Sequence, residues 1–216
     1  MPIQGIIFDM DNTLLQSRID FAAMKRHIYE YLFGLQLLPG DFPLSEHTSS
    51  TMLEQAKSSG LTAEMYAAAM DIATEHELRG MEGAGLERGA LQVLEALHGR
   101  YTLVVVTNNS RPAALKALEI TGVAAYFDLI AGREQMTALK PSSSGFSYVL
   151  EQFPQLPASN WLSVGDSWID GAASAGAGIA FVSYKTDPVV MKARGVEVTG
   201  HMQQLSELED LLASGL

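Results

Sequence analysis

Gly5-Ile6-Ile7-Phe8-Asp9-Met10-Asp11-Asn12-Thr13 opens the chain with a short apolar run that turns abruptly polar. A run with no polar residue in it reads as a strand covered on both faces, which is the habit of a parallel sheet. The run stops at Asp9, and a second carboxylate, Asp11, follows two residues later. Ligand sites in open α/β sheets lie where strands end and loops begin, so this stretch locates both a sheet and a candidate site.

Four further runs repeat the pattern: Leu103-Val104-Val105-Val106, Leu129-Ile130-Ala131, Trp161-Leu162-Ser163-Val164 and Ile179-Ala180-Phe181-Val182. Helical patterns separate them, and strands alternating with helices predict a doubly wound, mostly parallel sheet. Leu205, Leu208, Leu211 and Leu212 predict an amphipathic helix near the C-terminus. Between the first and second runs no strand is evident. Phe21, Met24, Ile28, Tyr29 and Leu32 recur at helical spacing, as do Leu61, Met65, Ala69, Ile72 and Ala73. Pro39-Gly40-Asp41 and Ser58-Ser59-Gly60 punctuate the segment as turns. The reading is an α/β core over 1–15 and 85–216 with a helical insertion over 16–84, placed as a lid over the carboxyl edge of the sheet.

The other strand ends are polar too. The second run leads into Thr107-Asn108-Asn109-Ser110, the third is followed after a loop by Lys140-Pro141, and the fourth by Gly165-Asp166-Ser167 with Asp170 beyond. Asp9, Asp11 and Asp166 concentrate negative charge that neutral packing would not tolerate. A hard divalent cation resolves it, and Mg²⁺ characteristically takes one or two carboxylates with phosphate oxygens and water. The chain has no cysteine, so thiolate metal sites, disulfides and cysteine nucleophiles are excluded. None of His27, His47, His76, His98 and His201 falls in these clusters. With a metal present, one aspartate can attack phosphorus while the other moves the proton. Lys140 supplies fixed positive charge, and Thr107, Asn108 and loop N–H groups donate to phosphoryl oxygens. Ser110-Arg111-Pro112 reads as a helix start, aiming a helix N-terminus at the same place.

The 216 residues carry 14 Lys and Arg against 25 Asp and Glu, a formal charge of -11. That balance opposes nucleic acid and anionic membranes as partners, and it obliges any anionic substrate to find a local cation. No apolar stretch approaches the ~20 residues of a membrane span. The N-terminus lacks the basic-then-apolar layout of a signal peptide, so the expected location is cytoplasmic. The expected partner is a small phosphorylated metabolite, and the expected assembly a monomer or weak homodimer.

Asp9-x-Asp11-x-Thr13, Thr107-Asn108, Lys140-Pro141 and Gly165-Asp166-Ser167-x-x-Asp170 resemble, in order, the four motifs of the haloacid dehalogenase-like hydrolase superfamily. The insertion after the first motif resembles the C1-type cap of its phosphoglycolate phosphatase and β-phosphoglucomutase branch. The resemblance implies a Rossmann-like core and Mg²⁺-dependent hydrolysis of a small phosphomonoester through an aspartyl-phosphate, with a sugar-phosphate mutase as the alternative. It implies Asp9 as nucleophile and Asp11 as acid/base. Mg²⁺ would be held by Asp9, the Asp11 carbonyl and Asp166, supported by Asp170. Thr107 and Asn108 would bind phosphate, Lys140 would bridge it to Asp9, and Thr13 would support the first loop by hydrogen bonding. Asn12 stands where the family favours glycine, Ser142-Ser143-Ser144-Gly145 replaces a second proline and an acidic residue, and Gln16-Ser17-Arg18 replaces the frequent Asp-Ser pair.

Overall fold

In the computed structural model, which describes residues 2–215, the opening run is strand β1 (Gly5–Phe8), with Ile6, Ile7 and Phe8 wholly buried. After it come β2 (Leu15–Gln16), α1 (Phe21–Gly34), α2 (Ser49–Lys57), α3 (Ala63–Met81), β3 (Gly85–Leu86), α4 (Ala90–Leu97), β4 (Thr102–Val106) and α5 (Arg111–Ile120). The remainder is β5 (Leu129–Ala131), α6 (Ser144–Gln152), β6 (Trp161–Gly165), α7 (Trp168–Gly176), β7 (Ala180–Tyr184), α8 (Pro188–Ala193), β8 (Gly200–Met202) and α9 (Glu207–Ser214). Six strands form one parallel sheet in the order β5-β4-β1-β6-β7-β8. From β1 the chain winds outward to β4 and β5, then resumes on the other flank with β6, β7 and β8. This is the doubly wound arrangement expected. Its reversal of direction leaves a crevice at the carboxyl end of β1, between β4 and β6.

β1 owes its central place to side chains that tolerate neighbours on both sides. Gly5 aligns with Thr102 on one flank and Trp161 on the other. A Cβ at Gly5 would fall 2.4 Å from the Trp161 indole, so glycine here admits the largest buried side chain of the core. Ile7, Val104, Val106, Ala131, Phe146, Val149, Trp161, Ala173 and Ile179 pack as one cluster that joins β1, β4, β5 and β6 to α6 and α7. Burial of such side chains is the main favourable term in folding, roughly 1.5–3 kcal/mol for each large one.

The chain divides into two compact units, one made of residues up to Ser17 and from Ala84 onward, the other of Arg18–Gly83. Gln16, Ser17 and Ala84, read from sequence as part of the insertion, fall in the α/β unit. The reason is an antiparallel ribbon the sequence did not disclose: β2 pairs with β3, Leu15 opposite Leu86. Glu87, directly after the ribbon, is buried and accepts from Gln16 Nε2 (3.1 Å), Lys185 Nζ (2.8 Å) and its neighbour's Arg88 N–H (3.1 Å). Its carboxyl is held below the usual range: burial pushes it up, but the bonds from Lys185 and Gln16 outweigh that.

Within the helical unit, α1 buries Met24, Ile28 and Leu32 at i, i+4, i+8 spacing, whereas Phe21 is 41% exposed. Side chains cap all three helices: Asp20 Oδ1 accepts from Ala23 N–H, Thr48 from Thr51 N–H and Thr62 from Met65 N–H. Lys25 donates to the carbonyls of Leu44 and His47, so its charge secures the loop after α1. Helix α2 was not foreseen, since its buried face mixes Ser50 with Met52, Leu53 and Ala56. Among the described residues no helix is long and apolar enough to cross a membrane.

Candidate active site

β1 delivers Asp9 to the crevice, and its backbone N–H continues the sheet ladder by donating to Val164 O (2.9 Å). The chain then reverses: Leu14 and Leu15 N–H both donate to Met10 O (2.9 and 3.0 Å) and Asn12 N–H to Leu15 O (2.8 Å). Asn12 takes the left-handed conformation, φ 58°, which explains why a position that favours glycine accepts asparagine. Thr13 does not act as expected. It is fully buried, but its hydroxyl has no hydrogen-bond partner among the described residues. Backbone bonds from Asn12, Leu14 and Leu15 shape the turn of the loop.

Lys140 lies at the centre of the site and is only 2% exposed. Its ammonium donates to Asp9 Oδ1 (2.6 Å), Asp170 Oδ1 (2.6 Å) and Val106 O (2.9 Å). An ammonium has three protons, and all three are engaged. Asp170 is buried in the first turn of α7, where its second oxygen accepts from Ser167 N–H (3.0 Å) in a capping box. Gly165 makes that possible, because a Cβ there would meet the Asp170 carboxylate at 2.7 Å. Asp166, between them, is fixed through its backbone: Thr186 Oγ1 donates to Asp166 O (2.6 Å).

Carboxylate oxygens of Asp9, Asp166 and Asp170 lie within 4.8 Å of one another. Three acids against one ammonium leave an excess of negative charge, which bears on how each group ionises. Burial first, then the charges of Asp170 and Asp166, hold Asp9 well above the usual carboxylate range despite Lys140. Asp166 is pushed up to about 7, mainly by burial and then by Asp170. Lys140 is raised too: burial opposes its charge, but Asp170 and Asp9 outweigh burial. All-oxygen donors with surplus negative charge fit Mg²⁺. Asp170 is already committed to Lys140 and Ser167, which leaves Asp9 and Asp166 as the carboxylates able to turn to an ion. The Asp11 carboxylate lies outside this trio.

The loop after β4 distributes its work differently from the sequence reading. Asn108 spends its side-chain amide on the backbone of Lys140, donating from Nδ2 to Lys140 O (3.1 Å) and accepting on Oδ1 from Lys140 N–H (2.8 Å). It positions the lysine; any contact of this residue with phosphate falls to its backbone. Thr107 is buried and accepts from Asn109 N–H (3.2 Å), with its hydroxyl proton left to donate. Asn109, given no role from sequence, donates from Nδ2 to Asp11 Oδ2. Arg133, also unforeseen, is nearly buried and braces the loop by donating to Asn108 O (3.1 Å). Helix α5 begins at Arg111 as read, but Arg111 N–H is already taken by Glu134 Oε2 (2.7 Å). Trp168 packs against the cluster of Phe181, Met191 and Val196.

Comparison with known proteins agrees with this architecture. A pyrimidine 5'-nucleotidase of Escherichia coli is 33% identical over 129 residues, covering 57% of this chain and 55% of its own length, so the match spans about half of that relative. A phosphoglycolate phosphatase of Neisseria gonorrhoeae is 28% identical over 186 residues, 82% of this chain and 77% of its own. The magnesium-bound crystal structure of a putative hydrolase of the same superfamily from Bacillus subtilis superposes with TM-score 0.64 at 23% identity, covering 98% of this chain and 99% of that one. Residues 6–184 match the family model described as haloacid dehalogenase-like hydrolase. That match runs from β1 through β7 and takes in every strand end that contributes to the site, and on that ground the chain belongs to the haloacid dehalogenase-like hydrolase family.

Proposed function

We propose that this chain is a Mg²⁺-dependent phosphatase that hydrolyses a small phosphomonoester of the phosphoglycolate kind through a phosphorylated Asp9. The observation that carries the reading is the Asp9–Lys140–Asp170 clamp beside Asp166. It fixes a carboxylate nucleophile at the end of a central strand, next to surplus negative charge that a divalent ion would balance. Asp9 and Asp166 would hold Mg²⁺ together with the Asp11 carbonyl, and the ion would supply charge neutralisation for an incoming phosphate. Asp9 attacks phosphorus with the oxygen not held by Lys140. An O–P bond forms, the ester P–O bond breaks, and Asp11 gives its proton to the leaving alkoxide. Asp11, now a carboxylate, takes a proton from water. The water oxygen attacks the aspartyl-phosphate, releasing inorganic phosphate and restoring Asp9.

The test is phosphate release, with and without Mg²⁺, from 2-phosphoglycolate, pyrimidine nucleoside 5'-monophosphates, hexose phosphates and p-nitrophenyl phosphate. Mg²⁺-dependent turnover that is fastest on phosphoglycolate supports the reading. Preference for the nucleotides would replace the substrate class, and no release from any of them would overturn the activity.

Two further outcomes follow from the geometry. Asn109→Ala removes the donor that orients Asp11 and is expected to lower kcat on the order of 10–100-fold, as loss of a supporting partner commonly does. Its KM and unfolding midpoint should move little. Unchanged kcat would show that Asp11 needs no such partner. The apparent Mg²⁺ affinity should also depend on pH. A carboxylate binds metal only when deprotonated, and Asp166 is raised to about 7. Affinity should therefore fall as pH drops through about 7, and the raised Asp9 works in the same direction. A Mg²⁺ titration flat between pH 5.5 and 8, roughly the span over which such a group titrates, would remove Asp166 as a ligand.

A further inference from the structure

Far from any aspartate of the site in sequence, His27 on α1 and His76 on α3 face each other across the helical unit. His27 Nδ1 and His76 Nε2 are 2.9 Å apart, with ring centroids at 4.9 Å and planes tilted by 56°. We propose that this pair is a bidentate site for a borderline divalent transition metal, Cu²⁺ or Ni²⁺, which would staple α1 to α3.

An N···N contact this short between uncharged rings needs one N–H and one lone pair. If the donating ring moves its proton to its other nitrogen, a change of tautomer that alters no net charge, each facing nitrogen carries a lone pair, and a turn of the two exposed rings would aim both at one ion. The distance then discriminates between metals. Two nitrogens each ~2.05 Å from an ion and in adjacent square-planar or octahedral positions lie roughly 2.9 Å apart, whereas tetrahedral zinc asks for roughly 3.3 Å. The observed 2.9 Å is the length of an N–H···N hydrogen bond and already equals the first spacing, so the square-planar or octahedral ion asks for the smaller rearrangement. Imidazole pairs suit copper and nickel, while Mg²⁺ prefers oxygen, so this site and the aspartate cluster would not compete for one ion.

The backbones that carry the rings are held in place. His27 lies between Met24 and Ile28, and His76 between Ala73 and Glu77, all four of them buried. Both rings stay accessible, His27 being exposed and His76 half-buried, so water can complete the coordination. The other histidines have different neighbours: His47 packs on Phe42, His98 on Tyr126, and His201 hydrogen-bonds Ser183. With no cysteine in the chain, no thiolate competes for the ion.

The experiment titrates NiCl₂, CuCl₂ and ZnCl₂ into chelator-stripped protein pre-saturated with MgCl₂. Calorimetry and thermal unfolding are followed for the wild type, His27→Gln, His76→Gln and His98→Gln. The expected result is one equivalent of Ni²⁺ or Cu²⁺ bound, more tightly than Zn²⁺, with a raised unfolding midpoint. His27→Gln and His76→Gln should each lose at least about tenfold in affinity, and His98→Gln should lose nothing. Cu²⁺ bound to the wild type should show two nitrogen ligands by electron paramagnetic resonance. Equal affinity in His76→Gln and wild type, or no binding by a wild type of native circular dichroism, overturns the site. Because none of these readouts is phosphatase activity, the outcome is independent of the proposed reaction.

Discussion

Asp9→Asn is expected to lower turnover on the best substrate by on the order of 10⁴-fold or more, while the protein folds as well as the wild type or better. The substitution keeps the shape and an acceptor oxygen for Lys140 but removes the electron pair that would attack phosphorus. Its effect on stability has a definite sign. Burial, more than any charge, holds Asp9 above the usual carboxylate range, so the fold disfavours the ionised form. A carboxyl raised in this way takes stability from the native state as pH climbs from its ordinary value through its folded value. At neutral pH without Mg²⁺ the asparagine variant is spared that cost. Urea unfolding in Mg²⁺-free buffer should show a midpoint equal to or above the wild type's, and the gap should close in acid. The kinetic half is read by single-turnover assays for a phosphorylated enzyme, which the variant should not form. Turnover within tenfold of wild type would remove Asp9 from the chemistry.

Asp9 is legible in the sequence because of where a sequence holds information. Strand ends are legible because an apolar run that stops at a carboxylate is a local pattern, and parallel sheets put such ends on one edge. So β1, β4, β5, β6 and β7 were readable, as were Asp9, Lys140, Asp166 and Asp170 as members of one edge. What escaped was short or depended on distant partners. β2 and β3 are two residues each and have no period to detect, and β8 is a three-residue edge strand over Gly200-His201-Met202. Neighbouring asparagines look alike in sequence. Only the fold sends Asn108 to the Lys140 backbone and Asn109 to the Asp11 carboxylate. Likewise no local pattern foretells Thr186 reaching Asp166, or Lys185 reaching Glu87, because each contact joins loops from different strands. Lys140 itself was expected to meet a phosphate, yet its three protons are taken by Asp9, Asp170 and Val106. A phosphate that contacts it must first displace one of those acceptors.

The same saturation makes Lys140→Met the substitution with the largest expected effect on stability, a loss of about 3–5 kcal/mol at neutral pH without Mg²⁺. Methionine nearly fills the space of the aliphatic stem, so packing survives and the charge is tested almost alone. What is lost is the cation between two carboxylates, each 2.6 Å from it and one of them 3% exposed. Asp9 and Asp170 are then left facing each other as like charges in a buried site, joined by an unpaired Val106 carbonyl. The lysine's own titration gives the sign. Asp170 and Asp9 raise it despite burial, so its contribution is fully present at every pH below the ordinary lysine value and fades only as pH rises past it. The carboxylates supply the opposite limit: once acid protonates them the clamp has nothing to hold, and the gap between variant and wild type should narrow. Mg²⁺ should narrow it too, by returning positive charge to the same place. Adding Asp170→Asn to Lys140→Met should recover part of the loss, since removing both members of a buried pair costs less than removing one. Urea midpoints for the single and double variants, at neutral and acid pH, measure all three terms. A Lys140→Met protein within about 1 kcal/mol of wild type, the worth of a surface ion pair, would mean that the clamp does not hold these strands' ends together.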